Sequence, residues 1–223
     1  MLASAALFKT CLIDSLGTEY WYLVPDLSAH GDAGNETYRS AAEEAKAIHS
    51  YLISEDATHL KLAYGASLGG VVQLELLKYK DLDIDHLFFE GTSFFTDAKL
   101  MYRIFRFAFL FAHIKAVKNP ALAMQKMAST YGAGCAEEMI NNLIRMKKES
   151  IVNIVHDCGF VDFPGLKEET QKKCTFAYGE KDFDYKKAMK TIPEVYPLAG
   201  TMVWLDMGIA RSSSKSQKLK RIY

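Results

Sequence analysis

The chain has 223 residues, 49% of them hydrophobic, which is enough for one domain with a sizeable core. Lys plus Arg and Asp plus Glu both total 27, so the formal net charge of +0 excludes a general attraction to nucleic acid or to an anionic membrane. No run reaches the ~18 uninterrupted apolar residues of a spanning helix, and we expect a cytoplasmic protein without a membrane span.

The first third of the chain alternates helical and strand patterns. Residues 2–16 predict a helix. The aromatic and β-branched run 20–24 is followed by proline and predicts a strand. A loop rich in Gly, Ser, Asp and Asn follows over 26–36, and an amphipathic helix is expected over 38–52 with Thr37 as its N-cap.

The most informative segment follows a strand predicted over residues 59–64. It has the pattern G-x-S-x-G around Ser67 and precedes a helix that starts near Val71. A serine between a strand and a helix is typical of a nucleophile elbow, in which the nucleophile has a strained backbone. We expect side chains at Gly65 and Gly69 to clash with this turn. The alternative is an ordinary tight turn, because glycine and serine are common.

The alternation of helices and strands then stops. A short buried strand is predicted at 87–89, and the order αβαβαβ up to this point indicates a parallel sheet with crossover helices. Residues 94–150 carry helical patterns only, with breaks at Asn119-Pro120 and at 131–134. Their apolar residues exceed one helix stripe, so they form the core of this block or also line a substrate pocket.

Strand patterns return at 174–178 and 201–205, and residues 209–223 predict a basic, solvated tail. We therefore predict an α/β fold, a three-layer sandwich with a mostly parallel sheet and a helical cap insertion. Its predicted parts are 1–93 (first part of the core), 94–165 (cap) and 166–223 (second part of the core with the tail).

A serine nucleophile needs a base, and the base needs an orienting carboxylate. Asp182 is the best candidate for the carboxylate, because it follows a predicted strand and would lie at the carboxyl edge of the sheet. Glu180 and Asp184 are nearby competitors. The alternative for Asp182 is an ordinary acid in an exposed turn.

Three blocks in this order make the chain resemble the α/β-hydrolase superfamily, in particular compact bacterial hydrolases with a helical cap: 24–31 after a strand, the elbow 65–70, and 178–182 after a later strand. The resemblance implies a serine hydrolase that acts on an ester or related acyl bond, and a pocket lined by apolar residues of the cap would favour a small, apolar substrate. It implies that Ser67 is the nucleophile, that Asp182 is the triad acid, and that the backbone N–H of Leu68 is one oxyanion donor. It implies no metal and no cofactor.

The sequence departs from the family at two places. The family's histidine follows the last strand, but no histidine occurs here after His156, and the family's first oxyanion loop has no counterpart. As alternative bases, His30, His113 and His156 remain open, whereas His49 is expected on a surface helix. His59 is expected to begin its strand and His86 to precede its strand, both at the wrong end for catalysis.

These departures leave two further interpretations open. The chain is either a truncated or frame-altered hydrolase-fold protein without activity, which binds a small apolar ligand or a protein partner, or an incomplete domain that folds poorly. The oligomeric state is not predicted. The cysteines form no C-x-x-C pair and are expected to be free thiols; they are Cys11, Cys135, Cys158 and Cys174.

Overall fold

The computed structural model describes residues 2–9, 19–205 and 219–222. The strands are β1 (His59–Ala66), β2 (Asp83–Glu90), β3 (Cys174–Gly179), β4 (Gly200–Trp204) and β5 (Leu219–Ile222). The helices are α1 (Ala5–Phe8), α2 (Ala41–Ser54), α3 (Leu68–Leu76), α4 (Lys99–Lys118), α5 (Pro120–Tyr131), α6 (Ala133–Arg145), α7 (Lys148–Gly159), α8 (Glu168–Lys173) and α9 (Tyr185–Val195). Within these residues, no helix combines the length and the apolar character that crossing a bilayer requires.

The chain divides into two compact units. One comprises Met1–Arg39 and Leu100–His156, and the other comprises Ser40–Lys99 and Asp157–Tyr223. The second unit contains the sheet, and the first contains most of the helical block. Residues 1–39 thus group with the helical block, and the functional division into core and cap stays a prediction.

The sheet confirms the predicted α/β fold. Its order is β1-β2-β3-β4-β5, with the first four strands parallel and flanked by helices. β5 pairs antiparallel with β4, so part of the expected solvated tail is wrong: Leu219–Ile222 forms a strand. The rest of that tail, residues 209–218 and Tyr223, lies outside the described residues.

The sheet core is aromatic and aliphatic. Phe89 of β2 and Phe176 of β3 are both fully buried and stack with ring centroids 4.5 Å apart. Tyr196, which follows α9, lies parallel to the Phe176 ring at 6.0 Å. These three buried rings form the aromatic part of the core beside the central strands.

α2 begins later than the sequence suggests. Ser40 is its N-cap and accepts the N–H of Glu43 at 3.2 Å, so the prediction of Thr37 as N-cap is wrong. The Thr37 hydroxyl instead accepts a hydrogen bond from Lys147 Nζ at 2.8 Å. Both residues have a side-chain oxygen suited to capping, and the long-range contact decides between them.

In the other unit, the helical block confirms the predicted breaks. Asn119 caps α5 by accepting the N–H of Leu122 at 3.1 Å, and Pro120 occupies the first helical turn, where its missing N–H costs nothing. Gly132 separates α5 from α6 with φ of 90°, a conformation that favours glycine. Residues 94–150 contain no strand, as predicted.

The predictions for the N-terminal residues are confirmed only in part. Residues 20–24 form no strand, and Trp21 is fully exposed, so that prediction is wrong. A β-prone run forms a strand only where another strand pairs with it, and in the described part of the chain none does. Of the helix expected over 2–16, the structure shows Ala5–Phe8, and residues 10–16 lie outside the described residues.

Three of the four cysteines are described, and all three are free thiols as expected: Cys135, Cys158 and Cys174. Burial raises the pKa of the Cys158 and Cys174 thiols to about 12. A buried thiol with so high a pKa stays protonated and is a poor nucleophile. Cys11 lies outside the described residues.

Candidate active site at the carboxyl edge of the sheet

Ser67 is the single residue between the end of β1 and the start of α3. Its backbone has φ of 50° and ψ of −113°, whereas an L-residue ordinarily avoids positive φ. Such a conformation costs about 1 to 3 kcal/mol and persists only where surrounding contacts impose it. Here the Ser67 N–H donates to the Glu90 carbonyl at 2.8 Å, and the Gly70 N–H donates to the Ser67 carbonyl at 3.0 Å. The turn has the sharpness and strain of a nucleophile elbow.

The glycines around Ser67 have different steric roles. A Cβ on Gly65 would lie 2.7 Å from the Gly69 carbonyl oxygen, so glycine is required there, as expected. The same expectation for Gly69 is wrong, because a Cβ there would meet no described atom within 4 Å. Gly70 carries the second constraint instead, since its Cβ would lie 1.9 Å from Thr92 Oγ1.

Leu68 is the first residue of α3, and its side chain is buried. The first N–H groups of a helix have no acceptor within the helix, and the helix dipole makes that end favourable for negative charge. The Leu68 amide is therefore available for an oxyanion that forms at Ser67. Its role as an oxyanion donor stays a prediction.

Asp182 closes the turn that follows β3. Its carboxylate accepts the Gly179 N–H at 2.6 Å, and its own N–H donates to the Gly179 carbonyl at 2.9 Å. The register places Ala66, Glu90 and Ala177 on one level of adjacent strands. Ser67 and Asp182 therefore both follow the carboxyl ends of their strands, at the same edge of the sheet.

The two competitors of Asp182 differ from it in environment. Glu180 is exposed. Asp184 is half-buried, and burial first and the nearby Asp182 charge second raise its pKa to about 7. A carboxyl with so high a pKa holds its proton near neutral pH and orients a histidine less well than an ionised carboxylate.

Two histidines of this unit, His49 and His59, lie at the opposite edge of the sheet. His49 contacts Asp81 at 2.9 Å, and His59 contacts Asp83 at 3.0 Å, where β1 and β2 begin. His59 is eight residues before Ser67, which at ~3.3 Å per residue is roughly 26 Å. His86 is paired with Leu62, five residues before Ser67, or roughly 16 Å. His59 begins β1 at the wrong end, as expected, whereas His86 is the fourth residue of β2 and does not precede its strand, so that part of the expectation is wrong.

The other three histidines have local contacts in their own unit. His30 Nδ1 lies 3.0 Å from the Ser28 carbonyl, and the His113 ring donates to the Leu143 carbonyl at 2.8 Å. The ring of His156 makes an edge contact with Tyr102. A role for any of them as the base stays a prediction.

One group with metal-ligand chemistry was missed because its members are far apart in sequence. His59, Asp83 and Asp85 have ligand atoms within 4.8 Å of one another at the amino edge. Lys173 contacts Asp83 at 3.3 Å and Lys61 contacts Asp85 at 2.8 Å, and both carboxylates are thereby already neutralised. The expected absence of a metal stays a prediction.

A second missed feature lies directly beneath the elbow. Glu90, the last residue of β2, is buried, and its carboxylate accepts the hydroxyl of Tyr64 on β1. Burial and the neighbouring Glu90 charge raise the pKa of Tyr64 well above its usual value. Glu90 thus accepts two hydrogen bonds from the elbow segment, since its backbone carbonyl also accepts the Ser67 N–H. The sequence signal was a carboxylate before a glycine at the end of an apolar strand.

The comparisons with known proteins identify the fold. The chain has a TM-score of 0.65 and 16% identity to a putative α/β hydrolase family protein from Desulfitobacterium hafniense, covering 93% of this chain and 86% of that one. It has a TM-score of 0.65 and 16% identity to the epoxide hydrolase CorEH (96% and 83% covered). It has a TM-score of 0.61 and 14% identity to a thermophilic esterase from Thermogutta terrifontis, covering 90% of this chain and 77% of that one.

These structural likenesses show that the chain has the α/β-hydrolase fold, as the sequence resemblance implied. No family model matches the chain, and no curated protein matches it. A fold of this kind supports many different activities, so function has to be argued from the site.

Proposed function

We propose that the chain is a serine hydrolase that acts on an ester or related acyl bond of a small, apolar substrate. The observation that carries the proposal is the strained backbone of Ser67 between β1 and α3. Backbone strain in a residue with a nucleophilic side chain is typical of a functional site, and one of the similar structures is described as an esterase. A cytoplasmic location and the absence of a metal or cofactor belong to the same proposal.

In the proposed reaction, Ser67 Oγ attacks the carbonyl carbon while a base removes its proton. The carbonyl oxygen becomes an oxyanion that the Leu68 N–H stabilises at the start of α3. Asp182 orients the base and stabilises its protonated form. The base then returns the proton to the leaving alcohol, and water hydrolyses the acyl-enzyme in the same way.

The test is labelling of the full chain by a fluorophosphonate probe, together with hydrolysis of short- and medium-chain p-nitrophenyl esters. We expect labelling and turnover that disappear in Ser67→Ala. Ser54→Ala is the matched control, because Ser54 is exposed on α2. Equal labelling of the wild-type chain and Ser67→Ala would contradict the proposal.

A second candidate function is binding without turnover, of a small apolar ligand or a protein partner. It is favoured by the placement of His49 and His59, which contact aspartates at the edge remote from Ser67. Ligand-dependent thermal stabilisation without hydrolysis would support it. If hydrolysis is observed, replacing His30, His113 and His156 by asparagine one at a time identifies the base, whereas His59→Asn should leave turnover unchanged.

A further inference from the structure

α4 exposes a continuous apolar stripe. Five large side chains, between 38% and 73% exposed, follow one another at alternating spacings of four and three residues along the helix: Leu100, Ile104, Phe107, Phe111 and Ile114. At about 100° per residue they fall within an arc of about 80°. An exposed apolar stripe of this length is unusual in a protein without a partner and marks an interaction surface.

The stripe is not the face by which α4 packs in its own unit. His113 and Ala116 are buried on the opposite side of the helix, where the His113 ring donates to the Leu143 carbonyl of α6. Tyr102, on the same side, contacts His156 of α7. The hydrophobic requirements of the helical block are thus met on one face, and the stripe is additional.

The charges on α4 are all positive. The helix has no Asp or Glu, and its five cations are exposed: Lys99, Arg103, Arg106, Lys115 and Lys118. Among the described residues, Lys99 alone of the five lies near a carboxylate, that of Asp97 at 3.5 Å. Arg103 and Lys115 fall about 60° to either side of the stripe by the same helical angle, and Lys115 Nζ lies 4.2 Å from the centre of the Phe111 ring.

We propose that α4 is a surface anchor that lies in the plane of an anionic phospholipid bilayer. The stripe enters the boundary between headgroups and acyl chains, and the flanking cations contact the anionic headgroups, as in interfacial amphipathic helices. The whole chain has a net charge of +0, but a local excess of cations beside an apolar stripe is sufficient for this mode of binding.

Charge also argues against a second copy of the chain as the occupant. The spacing of the stripe would suit a helix pair, but stable pairs place opposite charges beside the seam. Two α4 helices would bring together only cations. An anionic bilayer provides the complementary charge that a second copy lacks.

The experiment is flotation of the full-length chain with vesicles of pure phosphatidylcholine and with vesicles of equal parts phosphatidylcholine and phosphatidylglycerol. We expect binding to the anionic vesicles only, weakened by added salt. Each cation at an anionic surface contributes about five-fold to partitioning, so Arg103→Glu with Lys115→Glu should lower binding at least about 25-fold. Phe107→Ser with Phe111→Ser should lower it to a similar extent by removing apolar contact.

Matched controls separate the stripe from general effects. Lys46→Glu with Lys190→Glu changes the net charge equally at exposed positions outside α4, and Tyr51→Ser removes an exposed aromatic ring from α2. Both should bind as the wild type does, and all variants should melt at the wild-type temperature. The proposal is overturned if the anionic vesicles do not bind the chain, or if the controls lose as much binding as the α4 variants. It is also overturned if the chain binds no lipid and light scattering shows a wild-type dimer that is absent in the phenylalanine variants. None of these readouts uses hydrolysis, so failure of the anchor is distinct from failure of the proposed activity.

Discussion

Two adjacent glycines of the elbow provide a sharp test of the geometry, because the structure assigns them opposite tolerances. A Cβ on Gly70 would lie 1.9 Å from Thr92 Oγ1 and 2.8 Å from Thr92 Cβ, whereas a Cβ on Gly69 would meet no described atom within 4 Å. Gly69 belongs to the G-x-S-x-G pattern and Gly70 does not. The sequence pattern therefore suggests the reverse order of tolerance.

Thr92 has little freedom to move away from a new methyl group. It is fully buried, and its carbonyl accepts the Tyr178 hydroxyl at 2.6 Å. We expect Gly70→Ala to lower the free energy of unfolding by about 1 to 3 kcal/mol, the usual cost of overpacking. Gly69→Ala should raise it by about 0.5 to 1 kcal/mol, because alanine restricts the unfolded chain and suits a helical position.

Urea unfolding of the two variants and the wild type measures this difference. The predicted gap of at least about 1.5 kcal/mol corresponds to midpoints at least about 0.5 M apart, with unchanged m values. A Gly69→Ala variant that is as unstable as Gly70→Ala, or less stable, would refute the packing argument around Thr92.

Three further predictions concern the same edge of the sheet. Burial raises the pKa of Asp184 from 3.8 to about 7, so the folded protein favours the protonated acid and loses stability as pH rises between these values. The free energy of unfolding of Asp184→Asn should then exceed that of the wild type by about 2 to 4 kcal/mol at about pH 8 and equal it below about pH 4, as measured by urea titration at each pH. Ser67→Gly should be more stable than Ser67→Ala by about 1 kcal/mol in thermal melts, because glycine relieves the strain of positive φ; equal stabilities would deny that strain. Tyr64→Phe should cost about 1 to 3 kcal/mol in chemical unfolding, because the buried Glu90 carboxylate loses its donor, and an unchanged midpoint would contradict this.

The elbow was predictable because its determinants are local. A strand, a serine between glycines and a helix follow one another within a few residues, and β1 and α3 enclose Ser67 as expected. The turn of Asp182 was predictable for the same reason, since its partner Gly179 is three residues away. Local pattern and turn chemistry specify such units without knowledge of the rest of the chain.

The features that the sequence did not predict correctly depend on contacts between residues far apart in the chain. The need for glycine at position 70 depends on Thr92, and the pairing of Tyr64 with Glu90 depends on the register of two strands. The run 20–24 has strong β propensity but no strand beside it in the described part of the chain. Propensity is a weak guide where tertiary contacts supply or withhold the partner.

Two groups of polar residues lie at opposite edges of the sheet, separated by the length of its strands. The carboxyl edge has Ser67, the Leu68 amide and Asp182, whereas the amino edge has His59 beside Asp83 and Lys173. No change of rotamer brings His59 across roughly 26 Å of strand, or His86 across roughly 16 Å. The residues predicted to act as nucleophile, oxyanion donor and orienting acid thus share one edge of the sheet, and His49, His59 and His86 lie away from that edge. If the chain hydrolyses esters, the base is predicted to be a residue outside this set, and the substitutions at His30, His113 and His156 test that prediction.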